Sequence, residues 1–146
     1  MAIVEKMDHF TVLSADLDKT RAFYAMLGLS DGPRPAFAFP GLWLYSDRGR
    51  PILHVIAADQ MPKVPDGAID HIAFRAQNLG PTIELLEAHG VACKLMRLPK
   101  PYNVWQLFFR DPFGAMVELD FDPDEAAPAG WQETSRPQDS LVAETT

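Results

Sequence analysis

Cysteine is almost absent from this sequence. Cys93 stands alone, so no internal disulfide can form, which agrees with a reducing compartment. It lies in an apolar stretch, VACKLM, and is expected in the core. No run approaches the roughly 20 apolar residues of a membrane-spanning helix, and the opening MAIVEKMDHF lacks the charged segment and apolar run of a signal peptide. A cytoplasmic location is expected. Cations are scarce as well: 13 Lys and Arg against 20 Asp and Glu leave a net charge of -7 and a pI near 4.9. Without a Lys/Arg-rich run there is no field to attract phosphate backbones or anionic lipid, so nucleic acid and membrane drop out as partners. A small-molecule substrate remains.

What the chain does contain is one pattern written twice. MDHFTVLSADLDKTRAFYAMLGL begins at residue 7, and AIDHIAFRAQNLGPTIELLEAHGV begins at residue 68. Asp8 and His9 match Asp70 and His71, Leu17 matches Leu79, Thr20 matches Thr82 and Gly28 matches Gly90. The period is too long for a solenoid, so two copies of one supersecondary module are expected. With 47% hydrophobic residues the pair can bury a real core.

Each copy changes period in the same way. Residues 7–13 and 68–74 are rich in β-branched and aromatic types and read as strands. Asp16 and Asn78, good N-cap residues, then precede apolar positions at helical spacing, and Gly28 and Gly90 stand where a helix turns left-handed. Pro81 falls in a first turn, where a missing N–H is harmless. Beyond each helix Gly, Pro and Asp interrupt the chain every few residues, which predicts strands near 36–39, 42–46 and 51–57, and near 92–98, 104–110 and 115–121. The module is βαβββ. Residues 1–58 form the first copy, 59–67 a linker, 68–122 the second copy and 123–146 an acidic, mobile tail that Trp131 could pin.

The chemistry lies in the histidines. His9 and His71 hold matching places on the first strands, while His54 and Glu118 lie mid-strand on the last strand of each module. The repeat offset from 54 falls two short of 118, a shift that preserves the face of a strand. A pseudo-two-fold axis would bring the four together. Three imidazoles and one carboxylate suit a first-row divalent ion, Fe, Mn, Ni, Co or Zn, with positions open for substrate. A single histidine in an apolar strand is more often a core residue, but three with a carboxylate cost several kcal/mol to bury without a counter-ion. His89, at a helix C-terminus, reads instead as a partner of the helix dipole.

Around these residues stand Phe37, Phe39, Trp43, Tyr45, Tyr102, Trp105, Phe108 and Phe109. Strand alternation lets about half of them face a pocket. Phe39, Tyr45, Tyr102 and Trp105 are the substrate-contact candidates, and such a lining suits an aromatic or apolar substrate. Arg34, Lys100 and Arg110 read as solvated cations near the loops.

The DHF and DHI strand starts, the FYAMLGL helix ending and above all FFRDPFGAMVELDF resemble the vicinal oxygen chelate superfamily. That group holds glyoxalase I, methylmalonyl-CoA epimerase, fosfomycin-resistance proteins, bleomycin-binding proteins and extradiol dioxygenases. The resemblance covers residues 5–122. It implies an α+β fold in which two βαβββ modules pair into an open, barrel-like mixed sheet with a metal in its concave face, often across a homodimer interface. It also implies that His9, His54, His71 and Glu118 hold the metal; glyoxalase I commonly has Glu or Gln where His54 stands. The activity implied is that of a lyase or isomerase acting on a substrate that chelates through neighbouring oxygens, with Glu118 as the base and His54 as a ligand or acid/base. An Fe(II) extradiol-type dioxygenase, with His9 or His54 as the acid/base, and a metal-free resistance protein are the alternatives.

Overall fold

The computed structural model describes residues 2–131. In chain order its ten elements are β1 (Phe10–Ser14), α1 (Leu17–Met26), β2 (Ser30–Asp31), β3 (Gly41–Tyr45), β4 (Pro51–Ala57), β5 (Ile72–Arg75), α2 (Leu79–Ala88), β6 (Cys93–Arg97), β7 (Trp105–Arg110) and β8 (Met116–Phe121). They make βαβββ twice, the α+β architecture expected from the repeat. The strands form two four-stranded mixed sheets, ordered β1-β4-β3-β2 and β5-β8-β7-β6. In each, the first strand runs parallel to the fourth and the other contacts are antiparallel. The described residues divide into two compact units, one of 2–70 with Asp111–Ala115, the other of His71–Arg110 with 116–131. No helix among the described residues is long and apolar enough to cross a membrane.

In the first unit the pleat separates core from outer face. Val12, Leu42, Leu44, Leu53 and Val55 are buried with Tyr24 of α1, whereas Thr11, Trp43 and His54 alternate with them and lie opposite one another across the strands. Asp16 caps α1 by accepting a bond from the Lys19 N–H at 3.0 Å. Ser14 and Thr20, both fully buried, satisfy each other through their hydroxyls at 2.7 Å. Gly28 has φ +89°, as a helix-ending glycine should.

The expected strand at 36–39 is not there. The sheet is closed instead by the two-residue β2, and the Phe37 N–H bonds locally to the Pro35 carbonyl at 2.8 Å. Pro33, Pro35 and Pro40 flank the segment and have no N–H to extend a ladder into it from either side. Strand starts also shift: β1 and β5 begin one residue after His9 and His71, which therefore precede the strands rather than lie on them.

In the second unit the core holds Ile72, Leu79, Leu86, Trp105, Leu107, Phe109, Val117, Leu119 and Phe121. The expected cap of α2 takes another form. Asn78 is left-handed, φ +68°, and its side chain makes no cap bond; the Glu125 carboxylate accepts the N–H groups of Asn78 and Leu79 at 3.1 and 2.6 Å. A carboxylate there meets both the open donors and the positive end of the helix dipole. The Glu125 carbonyl accepts the Trp105 indole N–H at 3.0 Å, and Trp131 packs edge-on to Trp105 with centroids 4.7 Å apart. The segment after β8, expected as a mobile tail, thus carries two anchors by residue 131; the rest of the expected tail lies outside the described residues. Gly90 (φ +69°) ends α2, and the His89 Nδ1–H donates to the Leu85 carbonyl, 2.9 Å away.

The turn Asp111–Ala115 belongs to the first unit. Asp111, 5% exposed, accepts the Phe113 and Ala115 N–H groups on Oδ1 at 2.9 and 3.0 Å and the Tyr24 hydroxyl on Oδ2 at 2.8 Å. Burial first, and then the Asp111 charge, push the Tyr24 hydroxyl far above its ordinary pKa, so it stays a donor. Replacing Tyr24 with Phe keeps the ring and strips one donor from a buried carboxylate. The expected cost is about 1–3 kcal/mol in chemical denaturation, and an unchanged midpoint would show that the bond contributes nothing.

Candidate functional site

The four predicted metal ligands come to the sheet faces turned away from the two cores. In the first unit β4 places His54 between buried Leu53 and Val55, so its ring must emerge on the outer face. Trp43 is its direct partner on β3 and Thr11 on β1. His9, two residues before Thr11, comes to the same face. Three rings then stack in a column: Trp43 on His54 with centroids 4.3 Å apart and planes at 13°, and His54 on His9 at 3.7 Å and 14°. Burial, and then the neighbouring His9, lower the His54 pKa, which favours the neutral ring that can bind a cation.

In the second unit Glu118 stands between buried Val117 and Leu119 and is itself only 3% exposed. Its Oε2 lies 2.7 Å from His71 Nε2, and its Oε1 accepts the Gln106 amide N–H at 2.5 Å. Phe108, the cross-strand partner of Glu118, meets the His71 ring edge-on at 5.8 Å. Asp120 stands two residues along on the same face, and its Oδ1 is the one buried side-chain polar atom without a hydrogen-bond partner among the described residues. Burial first, and then the Asp120 hydrogen bond and charge, push the Glu118 pKa up to about 7, against the opposing pull of His71 and Gln106. A carboxyl group in the core of a sheet, poised near neutrality, is costly unless something uses it.

The structure therefore assembles the four predicted ligands as two pairs, His9 with His54 and His71 with Glu118. Among the described residues no three His, Cys, Asp or Glu side chains form a metal-binding group. The donor chemistry of the pairs nonetheless fits a first-row divalent ion: imidazole nitrogens and one carboxyl group, with Nε2 of His71 and Oε2 of Glu118 2.7 Å apart.

The substrate-contact candidates fare unequally. Trp105, expected to line the site, lies on the opposite face of β7, fully buried, with the Arg97 guanidinium 4.3 Å above its ring. Its indole N–H is already spent on Glu125, so it serves the core. Phe108 and Gln106 alternate with it and take the outer face. Tyr45 uses its hydroxyl on the Pro33 carbonyl at 2.6 Å and staples the proline-rich loop. Phe39 is 44% exposed, stacks on Phe37 with centroids 5.1 Å apart, and carries Arg34 5.0 Å above it; Phe37 lies 6.3 Å from Trp43. Tyr102 is 70% exposed on a turn. Of the three cations read as solvated, Arg34 is engaged, since it also donates to the Phe39 carbonyl at 2.9 Å. Gln106 and Asp120 escaped sequence reading. The hairpin register would have revealed them: with Arg110 opposite Met116, Gln106 falls opposite Asp120.

Comparison with known proteins places the chain in a family. The model of the Glyoxalase/Bleomycin resistance protein/Dioxygenase superfamily matches residues 6–119. Glyoxylase I 4 of Arabidopsis thaliana is 30% identical over 122 residues, covering 77% of this chain and 68% of the plant protein. Among solved structures, the fosfomycin resistance protein FosX of Listeria monocytogenes, in complex with Mn(II) and 1S,2S-dihydroxypropylphosphonic acid, superposes with TM-score 0.66 at 19% identity, covering 82% of this chain and 94% of that one. Lactoylglutathione lyase of Agrobacterium tumefaciens gives TM-score 0.59 at 21% identity, covering 82% and 96%. These structural likenesses speak for the fold. With the family match spanning most of its length, the chain belongs to the glyoxalase/bleomycin resistance protein/dioxygenase superfamily.

Proposed function

We propose that this protein is a divalent-metal-dependent lyase or isomerase acting on a small substrate that chelates the metal through neighbouring oxygens. His9, His54, His71 and Glu118 are its proposed ligands, and Fe, Mn, Ni, Co or Zn the candidate ions. The observation that carries the reading is Glu118, a carboxyl group 3% exposed in a strand interior and set against an imidazole nitrogen at 2.7 Å. A structural role does not call for an ionisable pair on the face away from the core. The metal supplies Lewis-acid polarisation of the chelated oxygens.

The chain's own residues supply the proton chemistry. Glu118, the one carboxyl group of the proposed set, is the candidate general base, and in the metal-free protein burial raises its pKa to about 7. Gln106 holds Oε1 of that group in place, and His54, kept neutral, offers nitrogen to the metal or to substrate. Phe37, Phe39 and Trp43 give the first unit an outer aromatic surface beside His54, while Tyr102 is retained as the substrate-contacting hydroxyl. We take the active form as a homodimer, as the family resemblance implies, in the cytoplasm, consistent with the lone cysteine. The aromatic surface also favours a second reading, an Fe(II) extradiol-type ring-cleaving dioxygenase. Oxygen uptake by Fe(II)-loaded protein given catechols would select it.

Two outcomes are expected. Untagged wild-type protein should hold about one equivalent of a first-row metal by mass spectrometry, and His71→Ala and Glu118→Ala should lose it. Full retention by both variants would overturn the site, and no metal in reconstituted wild type would move the reading to a metal-free binding protein.

The second outcome concerns pH. The Glu118 pKa is raised in the folded state, from 4.5 to about 7, so folding favours its protonated form. The stability this gives is complete below pH 4.5 and is lost as pH rises to about 7, by a few kcal/mol. Denaturation of metal-free protein at pH 4.5 and pH 8 should show this loss in wild type and not in Glu118→Gln. Parallel behaviour of the two would contradict the shifted pKa.

A further inference from the structure

The dipeptide Asp8-His9 holds a device that the ligand assignment leaves unused. Stacking on His54, with planes at 14°, fixes the plane of the His9 ring but not its rotation within that plane. A half-turn would exchange Nδ1 for a carbon and present a different edge. Asp8 removes that freedom: its Oδ1 lies 2.7 Å from His9 Nδ1, and its Oδ2 accepts from the Arg50 guanidinium at 3.2 Å. An ionised carboxylate can only accept, so His9 Nδ1 must carry the proton and donate. In a neutral ring the lone pair is then on Nε2.

We propose that Asp8, braced by Arg50, is a positioning residue that sets the Nδ1–H tautomer of His9 and presents its Nε2 as the metal-binding atom. The inference rests on the proposed metal site and adds which nitrogen binds and what holds it there. Imidazole ligands work in this manner when a carboxylate takes the second N–H, which fixes the ring and raises the basicity of the ligating nitrogen. Asp8 is two-thirds exposed and Arg50 nearly as much (67% and 61%). Neither is packed in a core, so replacing them tests orientation without threatening the fold.

Two readouts test this on the full chain. Long-range proton–nitrogen NMR on metal-free, imidazole-labelled protein at pH 8, with His9 assigned from the His9→Ala spectrum, should show the Nδ1–H tautomer in wild type and the Nε2–H form in Asp8→Ala. Titration with Co(II) alone should then give a dissociation constant about 10–100-fold weaker in Asp8→Ala, with a smaller weakening in Arg50→Ala. A wild-type His9 in the Nε2–H form overturns the orientation whatever the metal does. A changed tautomer with Co(II) affinity within twofold of wild type overturns the positioning role. Failure of wild type to bind Co(II), with the tautomer as stated, overturns the metal reading and leaves Asp8 as the determinant of the ring's tautomer alone.

Discussion

The buried carboxyl group of Glu118 constrains the rest of the second unit. Ionised, it would lose water and gain only His71 and Gln106 in exchange; protonated, it sits beside Asp120, whose own Oδ1 finds no donor. Leu119 and Val117 on either side hold the strand against the core, so the group cannot withdraw to solvent without breaking the pleat. Such a site is unfavourable by itself, and the cation proposed for it would neutralise the charge that burial resists. The first unit is built with the opposite bias. Its column of Trp43, His54 and His9 is aromatic, and the carboxylate that touches the column, Asp8, stands outside where water screens it.

Both sites depend on one rule of β-structure, that neighbouring side chains take opposite faces. That rule made much of the fold legible. The repeated pattern gave two βαβββ modules, Asp16 and the two helix-ending glycines did what their residue types demand, and the mid-strand places of His54 and Glu118 came from the offset between copies. Trp105 shows what reading composition without register loses. Its size suggested a pocket wall, yet the short turn after Arg110 fixes the hairpin so that Gln106 and Phe108, not Trp105, share a face with Glu118.

Other features were not local and could not be read locally. Asn78 has the right chemistry for an N-cap, but a carboxylate 47 residues away in sequence performs the task. The prolines around Phe37 were visible, though their consequence, a two-residue β2 and an aromatic loop under Arg34, depends on where Tyr45 anchors the chain. Membership of the superfamily narrows the chemistry without choosing within it, since one fold carries many reactions. The outer faces therefore bear the functional argument: a buried carboxyl group set against an imidazole on one unit, a column of stacked imidazoles and indole on the other.

Anomalous diffraction from crystals grown with Mn(II) tests the central claim most directly. The account predicts a single strong metal peak ligated by His71 Nε2 and Glu118 Oε2 together with His9 and His54. A peak bound elsewhere, or none at these side chains in fully loaded crystals, would contradict it.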